Sequence, residues 1–259
     1  RPPTGVTAIT SPDGETTDEP DAIAGHLADH WSEHFSHQPI DERAAAAFLR
    51  RYASRFGDLP EDWRLSRDEF LKVLMAGSPS APGPDGVPYS CWQNSPPRAF
   101  DALYAAYSSW IAGESTPAAF NHALLIFIPK PLKEGADPLL RKPAEVRPLS
   151  LNNTDNKLCA SALRFRLEPL AERWAHEAQQ GFLRNRSMYS NVINMESHMA
   201  AAAIRRDHLS FALLFDFAAA FPSLSHTFIL MTLKFLGIPS AVCTAIANLY
   251  RENWHAIVL

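Results

Sequence analysis

Several features that mark simple classes of protein are scarce or missing in this chain of 259 residues. Its three cysteines, Cys91, Cys159 and Cys243, lie far apart without a C-x-x-C pair, which argues against a zinc site or a disulfide framework. We expect three buried thiols in a reducing compartment. No signal peptide, internal repeat or apolar run of ~18 residues is present, so neither secretion nor a membrane span is expected.

A strong basic excess is also missing, because the net charge is -4. The charge is unevenly distributed, however: residues 1–75 carry 14 acidic and 8 basic side chains, whereas residues 130–186 carry 11 basic and 7 acidic ones. This basic segment is compatible with a groove that faces phosphates. An ordinary solvated helix face explains the charge equally well. The composition, 46% hydrophobic and 20% charged, is that of a globular protein of one large or two small domains.

Hydrophobic periodicity and turn residues predict the secondary structure. Residues 1–20 are rich in Pro, Thr, Asp and Glu and predict a disordered leader. Ser66 and Glu69 form a capping box at the start of one predicted helix. Helices are predicted over 21–36, 41–56, 67–75, 97–112, 154–176, 188–206, 225–236 and 240–252. Strands are predicted over 123–129, 146–151, 209–216 and the final residues, and strands alternating with helices indicate an α/β or α+β fold.

The first segment that carries chemistry is LSFALLFDFAAAFPSLSH, residues 209–226, in which an apolar strand ends at Asp216. A carboxylate there is placed to hold Mg²⁺, which favours one or two carboxylates plus phosphate oxygens. Nucleotidyl transfer uses two such ions. Phe221, five residues on, could pack under an incoming sugar and exclude a 2′-hydroxyl. Taken alone, Asp216 is more often a helix cap or turn residue, and Phe221 a core residue.

Three further segments are each weak by themselves. Residues 124–158 form a basic hairpin with Lys130 and Arg147 that could fold over a triphosphate, or could be an exposed loop. Residues 179–187, QQGFLRNRS, offer Gly181 and Arg186 to a nucleic-acid backbone, or simply link two helices. Residues 80–89, SAPGPDGVPY, set consecutive turns.

The order and spacing of these segments resemble the reverse transcriptase of LINE-type (non-LTR) retrotransposons. The resemblance runs from about residue 21 to the last residue, through APGPDGVP, IPKP, RPLSL, QQGF, FDFAAAFPSLSH and LKFLGIP. It implies a right-hand polymerase that is helix-rich, with a fingers β-hairpin and an incomplete palm sheet. The domains expected from it are a helical extension over 21–76, fingers over 77–208 and part of the palm over 209–259.

The resemblance also implies roles for individual residues. Asp216 matches the first metal-binding aspartate, and Phe217 matches the position whose backbone carbonyl helps to hold the metal. Phe221 matches the aromatic residue that gates the sugar. Arg147 matches the triphosphate-binding arginine of the fingers, with Lys130 beside it. Four residues match a segment near the template: Gln179, Gly181, Phe182 and Arg186.

The chain departs from the family pattern in two ways. Ala219 stands where the family often has lysine, and Pro222 where it often has aspartate; lineage variation and decay of a dead copy both explain this. No Asp-Asp dipeptide occurs in the chain, so the paired aspartates of the x-x-D-D hairpin are missing. Asp216 alone cannot hold both Mg²⁺ ions. We therefore expect a fragment that is inactive by itself and, with an open palm edge, poorly stable.

The function expected from the resemblance is RNA-directed DNA synthesis by the parent protein. Its partners would be an RNA template, a DNA primer or target, deoxynucleotides and the rest of the polyprotein, in the nucleus and cytoplasm and without a membrane. Two alternatives remain: a non-catalytic RNA-binding remnant of a decayed retroelement, and an α/β domain whose Pro-rich loops only mimic the motifs.

Overall fold

Helices surround two small sheets in the computed structural model, which describes residues 5–36, 39–51, 58–132, 135, 137, 139–205, 211–217 and 219–259. The helices are α1 (Pro20–Phe35), α2 (Glu42–Arg51), α3 (Arg67–Met75), α4 (Tyr89–Gln93), α5 (Pro97–Ile111), α6 (Thr154–Trp174), α7 (Met188–Ile204), α8 (His226–Phe235) and α9 (Ser240–Asn248). The strands are β1 (Ala8–Thr10), β2 (Thr16–Thr17), β3 (Ala123–Pro129), β4 (Leu140–Arg141), β5 (Val146–Asn152) and β6 (His255–Val258). The fold is thus a mixed α/β one. Among the described helices, none is both long and apolar enough to cross a membrane.

The predicted hairpin is confirmed and forms the centre of one sheet. Strand β3 pairs antiparallel with β5, so that Ile128 lies opposite Arg147 and Pro129 opposite Val146. The other edge of β3 pairs in parallel with β6. Side chains alternate along a strand, and the alternate residues Ala123, Leu125 and Phe127 are the buried ones. One face of the hairpin therefore packs into the protein.

Helix α1 covers that buried face. Its residues Ile23, Leu27 and Trp31, spaced by four, are buried with Leu125 and Phe127 in one apolar cluster. Strand β1 adds Ile9 and Val6 to the same cluster and pairs with β2 and β4. The helix predicted over residues 21–36 is thereby confirmed, and it is held against the hairpin by its apolar face.

The larger core is helical and lies among α3, α5, α6 and α9. Phe70 and Tyr107 are fully buried there, with ring planes stacked at 4.5 Å between centroids. The Tyr107 hydroxyl accepts a hydrogen bond from the Leu65 backbone N–H at 3.0 Å, and burial raises the pKa of Tyr107 to about 12. The predicted capping box at α3 is also confirmed, with Ser66 and Glu69 bonding each other's backbone N–H. This core ties α3 and the residues just before it to α9.

The Pro-Gly-rich segment 80–89 is a loop bound tightly to the start of α6. Gly83 lies so close to Asn153 that a Cβ would overlap its backbone nitrogen and side-chain oxygen. The Thr154 hydroxyl donates to the Val87 carbonyl at 2.8 Å, and Lys157 Nζ donates to the Ala81 carbonyl at 2.6 Å. The segment predicted from its turn residues is thus a loop that packs on α6.

A chain of buried asparagines joins three parts of the helical unit. Asn156 Nδ2 donates to Asn121 Oδ1 at 2.9 Å, and Asn121 Nδ2 donates to the Asn248 carbonyl at 2.6 Å. Asn248 Nδ2 in turn donates to the Glu114 carbonyl at 2.9 Å. Since each amide satisfies the next, the polar groups are buried without the cost of an unpaired donor.

Four sequence predictions differ from the structure. The leader expected over 1–20 instead contains β1 and β2, because the β-branched run around Ile9 buries itself under α1; residues 1–4 lie outside the described part. The strand predicted over 209–216 is wrong for 211–216, where no described strand pairs with the backbone; residues 209–210 lie outside the description. Cys91 is exposed rather than buried. The apolar spacing in the helix predicted over 41–56 places Phe48 on its inner face, but the Phe48 side chain is 55% exposed.

The predicted helix boundaries differ by smaller amounts. Helix α9 ends at Asn248, earlier than predicted. The end predicted for the second helix falls in residues 52–57, which lie outside the described part. The apolar spacing also predicts Tyr52 on the inner face of that helix, and the basic loop includes Lys133; both residues lie outside the described part as well.

Candidate active-site cleft

One cleft of about 1100 Å³ lies between α1, the loop end of the β3–β5 hairpin and residues of the segment 216–226. The cleft is lined by five of the residues singled out from the sequence: Lys130, Arg147, Asp216, Phe217 and Phe221. These residues come from two segments far apart in the chain, and the fold brings them to one place. The four residues expected near the template do not line this cleft.

The hairpin supplies two cations to the cleft. Lys130 directly follows β3, and its Nζ donates to the Ala144 carbonyl at 2.7 Å. Its backbone N–H donates to the Glu145 carbonyl at 2.8 Å, which closes the hairpin around it. The side chain of Arg147 on β5 is exposed and forms no ion pair or hydrogen bond with any residue that the structure describes. Its guanidinium is therefore available for an anionic ligand.

The opposite side of the cleft carries Asp216 and two aromatic residues. Asp216 is exposed, and Phe217 and Phe221 are 81% and 79% exposed. Ala219, between them, has a positive φ of 48°, a conformation that is uncommon for a residue with a side chain. The chain forms turns over residues 219–223 rather than a strand.

The expected template segment lies beside this wall. The rings of Phe182 and Phe221 meet edge to face, with 6.0 Å between their centroids. Gln179 Nε2 donates to the Gly181 carbonyl at 3.0 Å, which closes a tight turn. Phe182 itself is 92% exposed and has a positive φ of 62°. The segment thus presents an unpacked aromatic ring next to the cleft.

Arg186 has a structural role at the end of α6. Its Nη1 donates to the carbonyls of His176 and Gln179 at 2.6 and 2.9 Å, and its Nη2 to those of Glu172 and Ala175 at 3.1 and 3.3 Å. A guanidinium there satisfies carbonyls left unpaired at the end of a helix and complements its dipole. The fold therefore uses this side chain to hold the 179–187 turn against α6.

The ionisable groups that line the cleft are mostly basic. Four histidines, His30, His34, His226 and His255, line it together with Lys130 and Arg147. Burial, the nearby His34 and, to a smaller extent, Lys130 lower the pKa of His30, although Glu33 opposes this. Burial also lowers the pKa of His255, whose Nε2 lies 3.1 Å from the Ser150 hydroxyl. Of the described lining residues, Asp216 is the one carboxylate.

The cleft supplies only part of a magnesium site. The Asp216 carboxylate and the Phe217 carbonyl are hard oxygen donors of the kind that Mg²⁺ prefers. Within the described part of the chain, no group of three or more histidine, cysteine or carboxylate side chains is arranged to hold a metal. Asp216 therefore fits as one ligand of an ion whose other ligands are substrate oxygens, and it does not fit as the holder of two ions.

The histidines of α1 are the lining residues that sequence reasoning missed. His30 and His34 recur at helical spacing with Ile23, Leu27 and Trp31 in the helix predicted over 21–36, but the sequence predicts no role in a site for them. The signal was present, because residues four apart on a helix share a face and Trp31 lies between them. What could not be read from the sequence is that this face meets the end of the hairpin.

The comparisons with known proteins give a weak but long similarity. No known protein family matches the chain. The chain is 26% identical over 265 residues to the "Transposon TX1 uncharacterized 149 kDa protein" of Xenopus laevis, and the similarity covers 96% of the chain. The chain spans about a fifth of that relative's length, 19%. It is thus homologous, at low identity, to a transposon protein along nearly all of its length.

Proposed function

We propose that the chain is the fingers and partial palm of an RNA-directed DNA polymerase of a non-LTR retrotransposon. The observation that carries the proposal is the shared cleft: Arg147 and Lys130 of the hairpin face the same space as Asp216 and Phe221. These are the residues that the resemblance to LINE-type reverse transcriptases assigned to triphosphate, metal and sugar. The homology to a transposon protein supports the same origin.

In this proposal, each side of the cleft has its own task. Arg147 and Lys130 bind the triphosphate, because a guanidinium gives planar bidentate contacts and an ammonium a point charge. Asp216 and the Phe217 carbonyl hold one Mg²⁺, which neutralises charge on the phosphates. The Phe221 ring packs under the sugar and excludes a 2′-hydroxyl.

Gln179, Gly181 and Phe182 lie near the template strand, with Arg186 positioning their turn. RNA template and DNA primer or target are the macromolecular partners, and we place the activity in the nucleus after assembly in the cytoplasm.

The proposal is tested on the complete protein encoded by the reading frame that contains these residues. With Mg²⁺, an RNA template and an annealed primer, it should incorporate deoxynucleotides. Asp216→Asn should reduce synthesis at least ~1000-fold, since a metal ligand supplies several kcal/mol of transition-state stabilisation. Asp137→Asn, in the hairpin loop, is the matched control and should leave synthesis within twofold. Absence of synthesis by the unmodified protein, with each template tested, would overturn the proposal.

A second candidate, a non-catalytic RNA-binding protein, is favoured by a specific observation. The described lining of the cleft contains one carboxylate, which cannot hold two metal ions. This candidate expects RNA to bind the complete protein with an affinity that falls steeply as salt is raised. It also expects no synthesis, and Asp216→Asn would leave RNA affinity unchanged or slightly higher. Synthesis that depends on Asp216 would exclude it.

A further inference from the structure

Part of the wall of the cleft is made by α1, which precedes APGPDGVP and the later motifs of the resemblance. His30, Trp31, His34 and Phe35 of this helix line the cleft together with Lys130 and Arg147. The helix is held there by the burial of Ile23, Leu27 and Trp31 against the hairpin. The packing that positions α1 and its two histidines therefore also positions the hairpin that carries Lys130 and Arg147.

The histidine pair has a defined arrangement. The two rings lie 5.0 Å apart between centroids, and the Nδ1 of His34 lies 3.1 Å from the His30 carbonyl of the preceding turn. Since a carbonyl only accepts, this nitrogen must carry the proton. The Nε2 of His34 is therefore the ring nitrogen left for a ligand. Two imidazolium rings next to a lysine would repel each other unless an anion binds.

We propose that His30 and His34 bind the phosphate groups of a nucleoside triphosphate, together with Lys130 and Arg147. The volume of the cleft, about 1100 Å³, is close to that of a pocket for one small ligand. Basic side chains from α1, from the residue that follows β3 and from β5 line this one space. The identification of the ligand as a nucleotide rests on the proposed polymerase function, whereas the anion site itself rests on the geometry.

The site should take up protons when it binds a polyphosphate. The charged and titratable groups around His30 are Glu33 and His34 on α1, Lys130 and Arg147 on the hairpin, His255 on β6, and Asp216 and His226 across the cleft. The pKa of His30 is lowered in the free protein, so the ring is neutral at neutral pH. An anion reverses that balance and favours the imidazolium. Affinity for polyphosphate should therefore increase as the pH falls from 8 to 6.

The test is calorimetric binding of inorganic tripolyphosphate to the 259-residue chain, without metal, template or primer. At pH 6.5, we expect His30→Gln together with His34→Gln to weaken binding at least fivefold. His26→Gln, one turn earlier on α1 and outside the cleft lining, is the matched control and should stay within twofold. Wild-type affinity in the double variant would overturn the proposal.

Two further measurements separate the alternatives. The double variant should bind single-stranded RNA within twofold of wild type; an equal loss for RNA would mean that the histidines serve a nucleic-acid backbone, against the proposal. His34→Lys should bind tripolyphosphate more tightly than wild type at pH 8, where imidazole is neutral. If the double variant does not fold, wild-type affinity that is the same at pH 6 and pH 8 would overturn the proposal.

This inference and the proposed function can fail separately. Tripolyphosphate binding requires neither synthesis nor Mg²⁺. Binding that depends on the histidines, in a protein that never makes DNA, would support the anion site and overturn only the polymerase. DNA synthesis by a protein whose tripolyphosphate binding does not depend on the histidines would support the polymerase and overturn only the anion site.

Discussion

The helical core and the segment from α7 to Phe221 are packed in opposite ways. In the core, Phe70, Tyr107 and Leu158 are completely or almost completely buried. In α7, by contrast, no residue is buried, and the described residues 211–217 are all exposed. The candidate catalytic residue Asp216 lies in the exposed segment. By contrast, α1 and the hairpin, which also line the cleft, are held together by buried apolar side chains. The residues that stabilise the chain are therefore different from the residues that are candidates for catalysis.

The contrast also decides what substitutions should do. Loss of a buried side chain removes transfer free energy and leaves a cavity, whereas loss of an exposed one does neither. Stability should therefore respond strongly to the core and weakly to the residues around Asp216. Four substitutions test this, from the largest expected effect to the smallest.

Phe70→Ala should reduce the free energy of unfolding by about 3–5 kcal/mol, because it opens a cavity beside Tyr107 in the helical core. Denaturation by urea, followed by circular dichroism, measures the change. Phe211→Ala is the matched control, since that ring is 82% exposed. Equal losses for the two variants would contradict the distinction between the regions.

Gly83→Ala should reduce the free energy of unfolding by about 1–3 kcal/mol, because the added methyl group forces the loop away from Asn153. The matched control is Gly25→Ala on α1, where a Cβ meets nothing within 4 Å. That control should instead raise stability by roughly 0.5–1 kcal/mol, as a helical glycine is replaced by a better helix former. The opposite signs are read from the same urea curves. A stable Gly83→Ala variant would mean that the loop can move away from α6 at no cost.

Ser66→Ala should reduce stability by about 1 kcal/mol, because it removes half of the capping box of α3. The partner in that box gives a pH test. The pKa of Glu69 is lowered, first by the hydrogen bond that the Ser66 backbone N–H donates, next by the one that the Ser66 hydroxyl donates, and then by Arg166 at 3.0 Å, while burial opposes the shift. Because the folded-state pKa is lowered, this stabilisation is present above the unfolded value of 4.5 and is lost as the pH falls through the folded value.

Thermal melts below pH 5 check this second part. Glu69→Gln should make the melting temperature depend less on pH in that range, and Glu61→Gln, an exposed control, should not. A wild-type slope that is unchanged by Glu69→Gln would show that the ion pair and the cap contribute nothing on acidification.

Phe215→Ser should change the free energy of unfolding by less than about 0.5 kcal/mol, because the ring is 83% exposed in the free chain. The same substitution should lower self-association in size-exclusion chromatography, since it interrupts an exposed apolar run. A loss of stability comparable to that of Phe70→Ala would place this residue in a core, against the comparison.

Much of the fold was predictable from short-range patterns. Alternation in ALLIFIP and its following proline predicted β3, and Ser66 with Glu69 predicted the start of α3; both are confirmed. These signals depend on residues within one or two turns of each other. For the same reason, the hairpin was confirmed with Arg147 close to the end of β3.

The remaining features depend on partners distant in sequence. A strand needs a neighbouring strand, and the composition of residues 211–216 could not reveal that none of the described strands pairs with them. Strand β1 was missed for the opposite reason: its polar, acidic surroundings predicted disorder, although Ile9 becomes fully buried in the fold. The sequence predicted five of the residues that line the cleft, but it did not predict that α1 forms part of the cleft wall. That wall arises because α1 packs against the hairpin.

The pairing of β3 has a consequence for how this chain reaches its fold during synthesis. Its partner β5 follows after the 16 residues 130–145, but its other partner, β6, is made more than a hundred residues later, since Ala123 pairs with His255. At about 5–20 residues per second, one apolar edge of the hairpin remains unpaired for many seconds. Closing so long a loop is also slow compared with forming the hairpin. The nascent chain should therefore be most vulnerable to aggregation in this interval, and chaperones that cover β3 should raise its yield.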